Sequence, residues 1–128
     1  MPVRLRPRIR DAKLRALADE PEFAGLRMRH LLSLAAVLDR GHVRCGATIA
    51  AGGGRVLQPM IVSGGAVLVD GVATCPPVAV GLGFTDSSRV ATATVTALSA
   101  LQVWFVEPRA VRHVLGLVPE LRSREVAA

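Results

Sequence analysis

With 128 residues, the chain is expected to form one compact domain with a single core, rather than a sensor joined to a DNA-reading module. An apolar fraction of 51% against 20% charged residues excludes a disordered chain, because disordered sequences are poor in core formers. The formal net charge of +6 is concentrated at the start, where Arg4, Arg6, Arg8 and Arg10 stand without an acidic residue among the first ten.

No uninterrupted apolar run approaches the roughly 18 residues that a membrane helix needs, so no span is expected. The first residues carry arginines but no apolar stretch, unlike a secretory signal, and a cytoplasmic location is expected. Cys45 and Cys75 match no metal spacing and read as reduced, buried thiols. Residues 1–20 read as a basic arm with a short helix, followed by one domain over 21–128. Arginine at every second position of the arm offers contacts to nucleic acid or another anion through Arg4, Arg6, Arg8 and Arg10. No aromatic residue is interleaved for base stacking, so the plainer reading is a solvated arm.

Asp11 to Ala18 predicts a short helix with Leu14 and Leu17 on one side, ended by Pro21. A second helix is expected from about Arg27 to Leu38, where Leu31, Leu34, Ala35 and Leu38 recur at helical spacing. From His42 the pattern changes to short apolar bursts separated by glycine and proline, which predicts about eight strands in a small sandwich, jelly roll or barrel. Asp70-Gly71 after Val67 and Val69 is a hairpin signal, since both central residues of a type I′ turn need positive φ. Between Val90 and Ala97, Thr92, Thr94 and Thr96 alternate with Ala91, Ala93, Val95 and Ala97, so one face is hydroxylated and the other apolar. In the next strand Leu101, Val103 and Phe105 face one way and Trp104 the other, toward a terminal helix rather than into the inter-sheet core. Pro108 suits the first turn of a closing helix with a stripe of Ala110, Val111, Val114, Leu115 and Val118. Pro119 interrupts it, and Glu120 to Val126 predicts one further short helix.

Four segments in this order resemble the cyclic-nucleotide-binding domain family. Pro21-Glu-Phe23-Ala-Gly25-Leu26 resembles its opening "P-x-F-x-x-L", and Cys45-Gly46-Ala-Thr-Ile49-Ala-Ala-Gly52 its "x-G-x-x-I-x-x-x-G" strand pair. Ile61-Val-Ser63-Gly64-Gly65-Ala-Val-Leu-Val69 is similar to its glycine-turn strand, and Ala93-Thr94-Val95-Thr-Ala97-Leu98 to its "A-T-V-x-A-L" strand. The resemblance spans about Pro21 to Val126 and implies a mainly β fold: a catabolite-activator-like β-roll of about eight strands, flanked by an N-terminal helix and C-terminal helices.

The departure lies in the phosphate-binding cassette. In the family, "F-G-E-x-A-L-L" leads to "R-x-A-T-V"; backbone amides and the Arg hold the cyclic phosphate and the Glu holds the ribose hydroxyl. An anion suits converging N–H groups plus a guanidinium, and a hydroxyl suits a carboxylate acceptor. In this chain the stretch is Val80-Gly-Leu-Gly83-Phe84-Thr85-Asp86-Ser-Ser88-Arg89, shorter and without a Glu between Asp70 and Glu107. Alignment on Ala93-Thr94-Val95 puts Ala91 at the place of the phosphate Arg. Arg89 lies two residues upstream, a displacement of about 6 to 7 Å along a strand. The candidate ligand residues implied are Gly83, Phe84, Asp86, Ser87, Ser88 and Arg89.

Other chemistries have less support. His30, His42 and His113 lie in separate segments without paired metal spacing. Gly81-Leu-Gly83 lacks the surroundings of a dinucleotide fingerprint and reads as a loop. No Ser, Cys or Thr has an identifiable base and orienter, so no catalytic residue, metal or resident cofactor is expected. The leading expectation is a regulatory or protein-interaction module with a degenerate ligand site, partnered by another protein or by its own copy. The alternatives are a sensor of cyclic AMP, cyclic GMP or a similar small anion, and nucleic-acid binding through the arginine arm.

Overall fold

A computed structural model describes residues 9–84 and 89–128, with side chains described from residue 12 onward. The chain divides into two compact units, Met1–Ala36 and Val37–Ala128. The first unit holds α1 (Ile9–Ala18), a single 3-10 turn at Pro21–Phe23, and α2 (Met28–Ala35). Pro21 opens the 3-10 turn, where its missing N–H costs no hydrogen bond. Leu17, Leu31 and Leu34 are buried, as the helical spacing implied, whereas Leu14 and Ala35 of the same stripes are half-buried; Phe23, in the 3-10 turn, is buried as well.

The second helix ends earlier than expected. Leu38 opens the first strand instead of closing the helix, and its Cα is paired with that of Val106. A residue seven positions after a helical leucine satisfies the helical period wherever its backbone goes, so periodicity alone could not separate the two assignments.

Among the described residues the second unit contains eight strands: β1 (Leu38–Val43), β2 (Thr48–Ala50), β3 (Met60–Gly64), β4 (Val67–Val69), β5 (Val72–Thr74), β6 (Val78–Val80), β7 (Val95–Ala97) and β8 (Leu101–Val106). They form two four-stranded antiparallel sheets, ordered β1-β8-β3-β6 and β2-β7-β4-β5. The core between the sheets contains Val62, Val67, Val78, Val80, Val95, Leu101 and Val103, with Phe105 packed against it. These residues come from alternate positions of each strand, because successive side chains of a pleated strand face opposite ways.

The hairpin between β4 and β5 turns at Asp70 and Gly71, with φ of 48° and 81°. These are the left-handed angles that the Asp-Gly pair predicted. Regular pairing in the threonine segment is limited to Val95–Ala97, yet the expected alternation extends beyond it. Ala91, Ala93, Val95 and Ala97 are buried, whereas Thr92 and Thr94 are exposed. Trp104 is buried at 1% exposure but lies outside the inter-sheet cluster, on the opposite face of β8 from Val103 and Phe105.

The chain closes through a 3-10 turn at Pro108–Ala110, α3 (Val111–Leu117) and a 3-10 helix at Pro119–Arg124. Ala110, Val114, Leu115 and Val118 are buried along this segment. Glu125 and Val126, expected to be helical, are extended instead: Glu125 has φ −67° and ψ 130°, and it bridges in parallel to Ala79 of β6. An available strand edge and a set of backbone donors outweigh the weak local helix signal there.

Both cysteines are free thiols, but they are exposed rather than buried. Cys45 Sγ donates to the Leu98 carbonyl at 3.2 Å. No described helix is long and apolar enough to cross a membrane.

Candidate functional site

The site is built where β6 stops. Gly81 adopts φ +83°, a conformation that side-chain-bearing residues rarely adopt, and so turns the chain away from the strand. The N–H groups of Gly81, Leu82 and Gly83 then converge on one carboxylate, that of Glu125. Gly81 donates to Oε2 at 3.0 Å, Leu82 to Oε1, and Gly83 to Oε1 at 2.7 Å. Ala127 adds a fourth N–H, donated to Oε2 at 3.0 Å. Consecutive backbone donors around a left-handed residue form an anion-binding concavity, and bonds to an ionised acceptor are stronger than neutral ones.

Three features deliver Glu125 to this point. Leu121, at 1% exposure, anchors the 3-10 helix before it. The extended backbone at Glu125 redirects the chain along β6, where Val126 N–H donates to the Ala79 carbonyl at 3.1 Å. On the other side, Thr92 N–H donates to the Ala127 carbonyl at 2.9 Å, and the Ala127 methyl group is fully buried in the core cluster. The tail is therefore gripped by backbone from two directions. Beside it opens a cavity of about 450 Å³, lined by Gly83, Phe84, Thr92, Arg122, Glu125 and Ala128.

Of the residues expected to contact a ligand, Gly83 and Phe84 line this cavity. Arg89 is not among its described lining residues; it has φ 50°, and its carbonyl accepts from Val56 N–H at 2.8 Å. Asp86, Ser87 and Ser88 lie outside the described residues, as do Arg4, Arg6 and Arg8 and the side chain of Arg10. Ala91, aligned with the family's phosphate Arg, is buried in the core cluster.

Sequence reasoning missed Glu125, Arg122 and Thr92. The family's cassette carries its carboxylate in the turn itself, whereas the one that reaches this turn arrives from 42 positions downstream of Gly83. A partial signal was present in Gly81-Leu-Gly83, whose paired glycines mark a backbone that something approaches closely.

His42 and His113 are exposed and His30 is partly so, and among the described residues no three His, Cys, Asp or Glu side chains gather as a metal site would require. In the first unit, burial raises the Glu22 carboxyl above its ordinary value, with a smaller push from Glu20. Its Oε1 is buried and has no hydrogen-bond partner among the described residues.

Comparison with known proteins finds no matching family by sequence and no matching curated protein. Solved structures do match. A cAMP-binding acyltransferase from Mycobacterium smegmatis superimposes with a TM-score of 0.69 at 24% identity, over 90% of this chain and 38% of that one. The regulatory subunit of a cAMP-independent protein kinase A from Trypanosoma brucei gives 0.70 at 24% identity, over 90% of this chain and 46% of that one. The C-linker/CNBHD of zELK channels gives 0.58 at 18% identity, over 80% of this chain and 62% of that one. The chain thus spans less than two thirds of each of these structures. Two stacked antiparallel sheets, a turn with converging amides after β6, helices at both ends and these superpositions together identify the fold as that of a cyclic-nucleotide-binding domain.

Proposed function

We propose that the chain is a non-catalytic regulatory or protein-interaction module whose nucleotide site is degenerate. The observation that carries this reading is the occupation of the Gly81–Gly83 amides by the chain's own Glu125. A cyclic phosphate would need those same donors, and each contact left unmade costs on the order of 1 to 3 kcal/mol. Two departures add support. The aligned Arg position holds a buried alanine, Ala91, and no Glu stands in the turn to accept from a ribose hydroxyl.

Calorimetry with cyclic AMP and cyclic GMP tests the reading. Binding weaker than about millimolar is expected, because competition with an intramolecular carboxylate adds to the missing contacts. Micromolar binding that Arg89→Ala abolishes would replace this reading with that of a nucleotide sensor. The cavity beside Phe84 and Arg122 is the observation that favours the sensor as second reading, since it leaves room for a small anion next to the turn.

A further inference from the structure

Residues 125–127 contact the sandwich as a bound peptide would. One carboxylate takes three consecutive backbone donors, one N–H reaches the edge of β6, one carbonyl accepts from Thr92, and one methyl group fills a place in the core. None of these contacts depends on the covalent link through Arg124, so an unlinked segment of the same chemistry can make all of them. The mode is strand addition: main-chain bonds supply affinity, and pockets for particular side chains supply selectivity. β6 is the outer strand of its sheet, paired on one side with β3, and its free edge takes the tail.

We propose that this groove is a receptor for an extended acidic segment of the form Glu-aliphatic-Ala from a partner protein, closed in the free chain by residues 125–127. The inference rests on the proposed role as an interaction module. Three observations specify the occupant. Main-chain bonds on both sides of Val126 and Ala127 select a polypeptide over a small anion. The amides of Gly81, Leu82 and Gly83 select a carboxylate at the first position. Complete burial of Ala127 selects a small side chain two positions later. Arg122 also lines the cavity beside these residues, and its positive charge suits a partner rich in acidic residues.

The tail competes with such a partner at an effective concentration on the order of millimolar, and the apparent affinity of the wild-type chain falls accordingly. The test is fluorescence anisotropy of a labelled peptide, Ser-Arg-Glu-Val-Ala-Ala, against full-length wild type, Glu125→Ala and Glu125→Gln, with circular dichroism to confirm folding. At least about tenfold tighter binding is expected for the variants, because the cis competitor is weakened. Replacing Glu by Gln in the peptide is expected to abolish the gain. Amide resonances of Gly81, Leu82 and Gly83 in the wild type are expected to shift at millimolar peptide, a readout that does not require either variant to fold.

Equal affinity for wild type and folded variants, indifference to the peptide's Glu, or shifts confined to other amides would each overturn the proposal. A wild-type chain that dimerises with concentration by exchanging its tail would assign the groove to a second copy and also overturn it. Failure of the functional reading is distinct: it would be micromolar binding of cyclic AMP to the wild type, measured without peptide.

Discussion

Gly83 and Glu125 stand so close that position 83 has no room for a side chain: a Cβ there would lie 2.8 Å from Cγ and 3.1 Å from Cβ of Glu125. The conflicting atoms belong to the root of the glutamate rather than its mobile end, so a small rotation does not relieve the contact. The glycine and the tail are complementary parts of one site.

Gly83→Ala is therefore expected to displace Glu125 from the turn and lower stability by about 1 to 3 kcal/mol, the usual cost of overpacking. Urea denaturation measures the loss. If the approach of the two residues is its cause, the double variant with Glu125→Ala should lose less than the sum of the two single changes.

Asp70 holds the β4–β5 hairpin to the segment before β7. Its Oδ1 accepts from Thr94 N–H at 2.8 Å, and its own N–H donates to the Thr94 carbonyl at 2.9 Å. Asp70→Ala removes the first bond and places alanine at φ 48°, so a loss of about 1 to 3 kcal/mol is expected. Asp70→Asn keeps both an acceptor and a tolerance for that φ. It is expected to recover most of the loss in the same denaturation assay.

Trp104 is the single tryptophan of the chain, and it is almost wholly buried. Its emission is expected to be blue-shifted and resistant to iodide quenching in the native state, and to report unfolding of residues 37–128. Trp104→Ala should cost about 3 to 5 kcal/mol, as large aromatic truncations in cores do. Native-like resistance of that variant to urea would contradict the burial.

Burial raises the Glu22 carboxyl, so the folded chain takes up this proton more readily than the unfolded chain does. The contribution to stability is then present below the ordinary carboxylate range and is lost as pH rises through the folded value. Glu22→Gln is expected to stabilise the chain at pH 7, with the gain shrinking toward zero at about pH 4, near the unfolded carboxyl's own pKa. Thermal melts of both proteins at the two pH values read the difference. A gain independent of pH would show that the charge is not its source.

Much of the fold was legible because its signals are local and periodic. The alternation from Ala91 to Ala97 appears residue by residue in the burial, and Asp70-Gly71 adopts the two positive φ values that its turn requires. Where signals were ambiguous, tertiary contacts decided. Leu38 fitted a helical stripe and a strand equally well until pairing opposite Val106 made it a strand residue. Glu125 and Val126 fitted a short helix until the edge of β6 and the donors of the glycine turn drew them straight.

Of the residues that line the cavity, Gly83 and Phe84 were named as ligand candidates from the family's cassette. Glu125, Arg122 and Thr92 were not, because no local pattern ties a glutamate near one end of the sequence to a glycine turn 42 positions before it.

The sequence by itself determined which faces are apolar and where the chain turns, since these follow from side-chain alternation and from the φ values that Asp and Gly tolerate, and the order of its motifs carried the family resemblance. Only the tertiary structure decided what fills the turn after β6. Backbone amides look alike in any sequence, and their partner is selected by which carboxylate the fold carries within reach, in this chain that of Glu125.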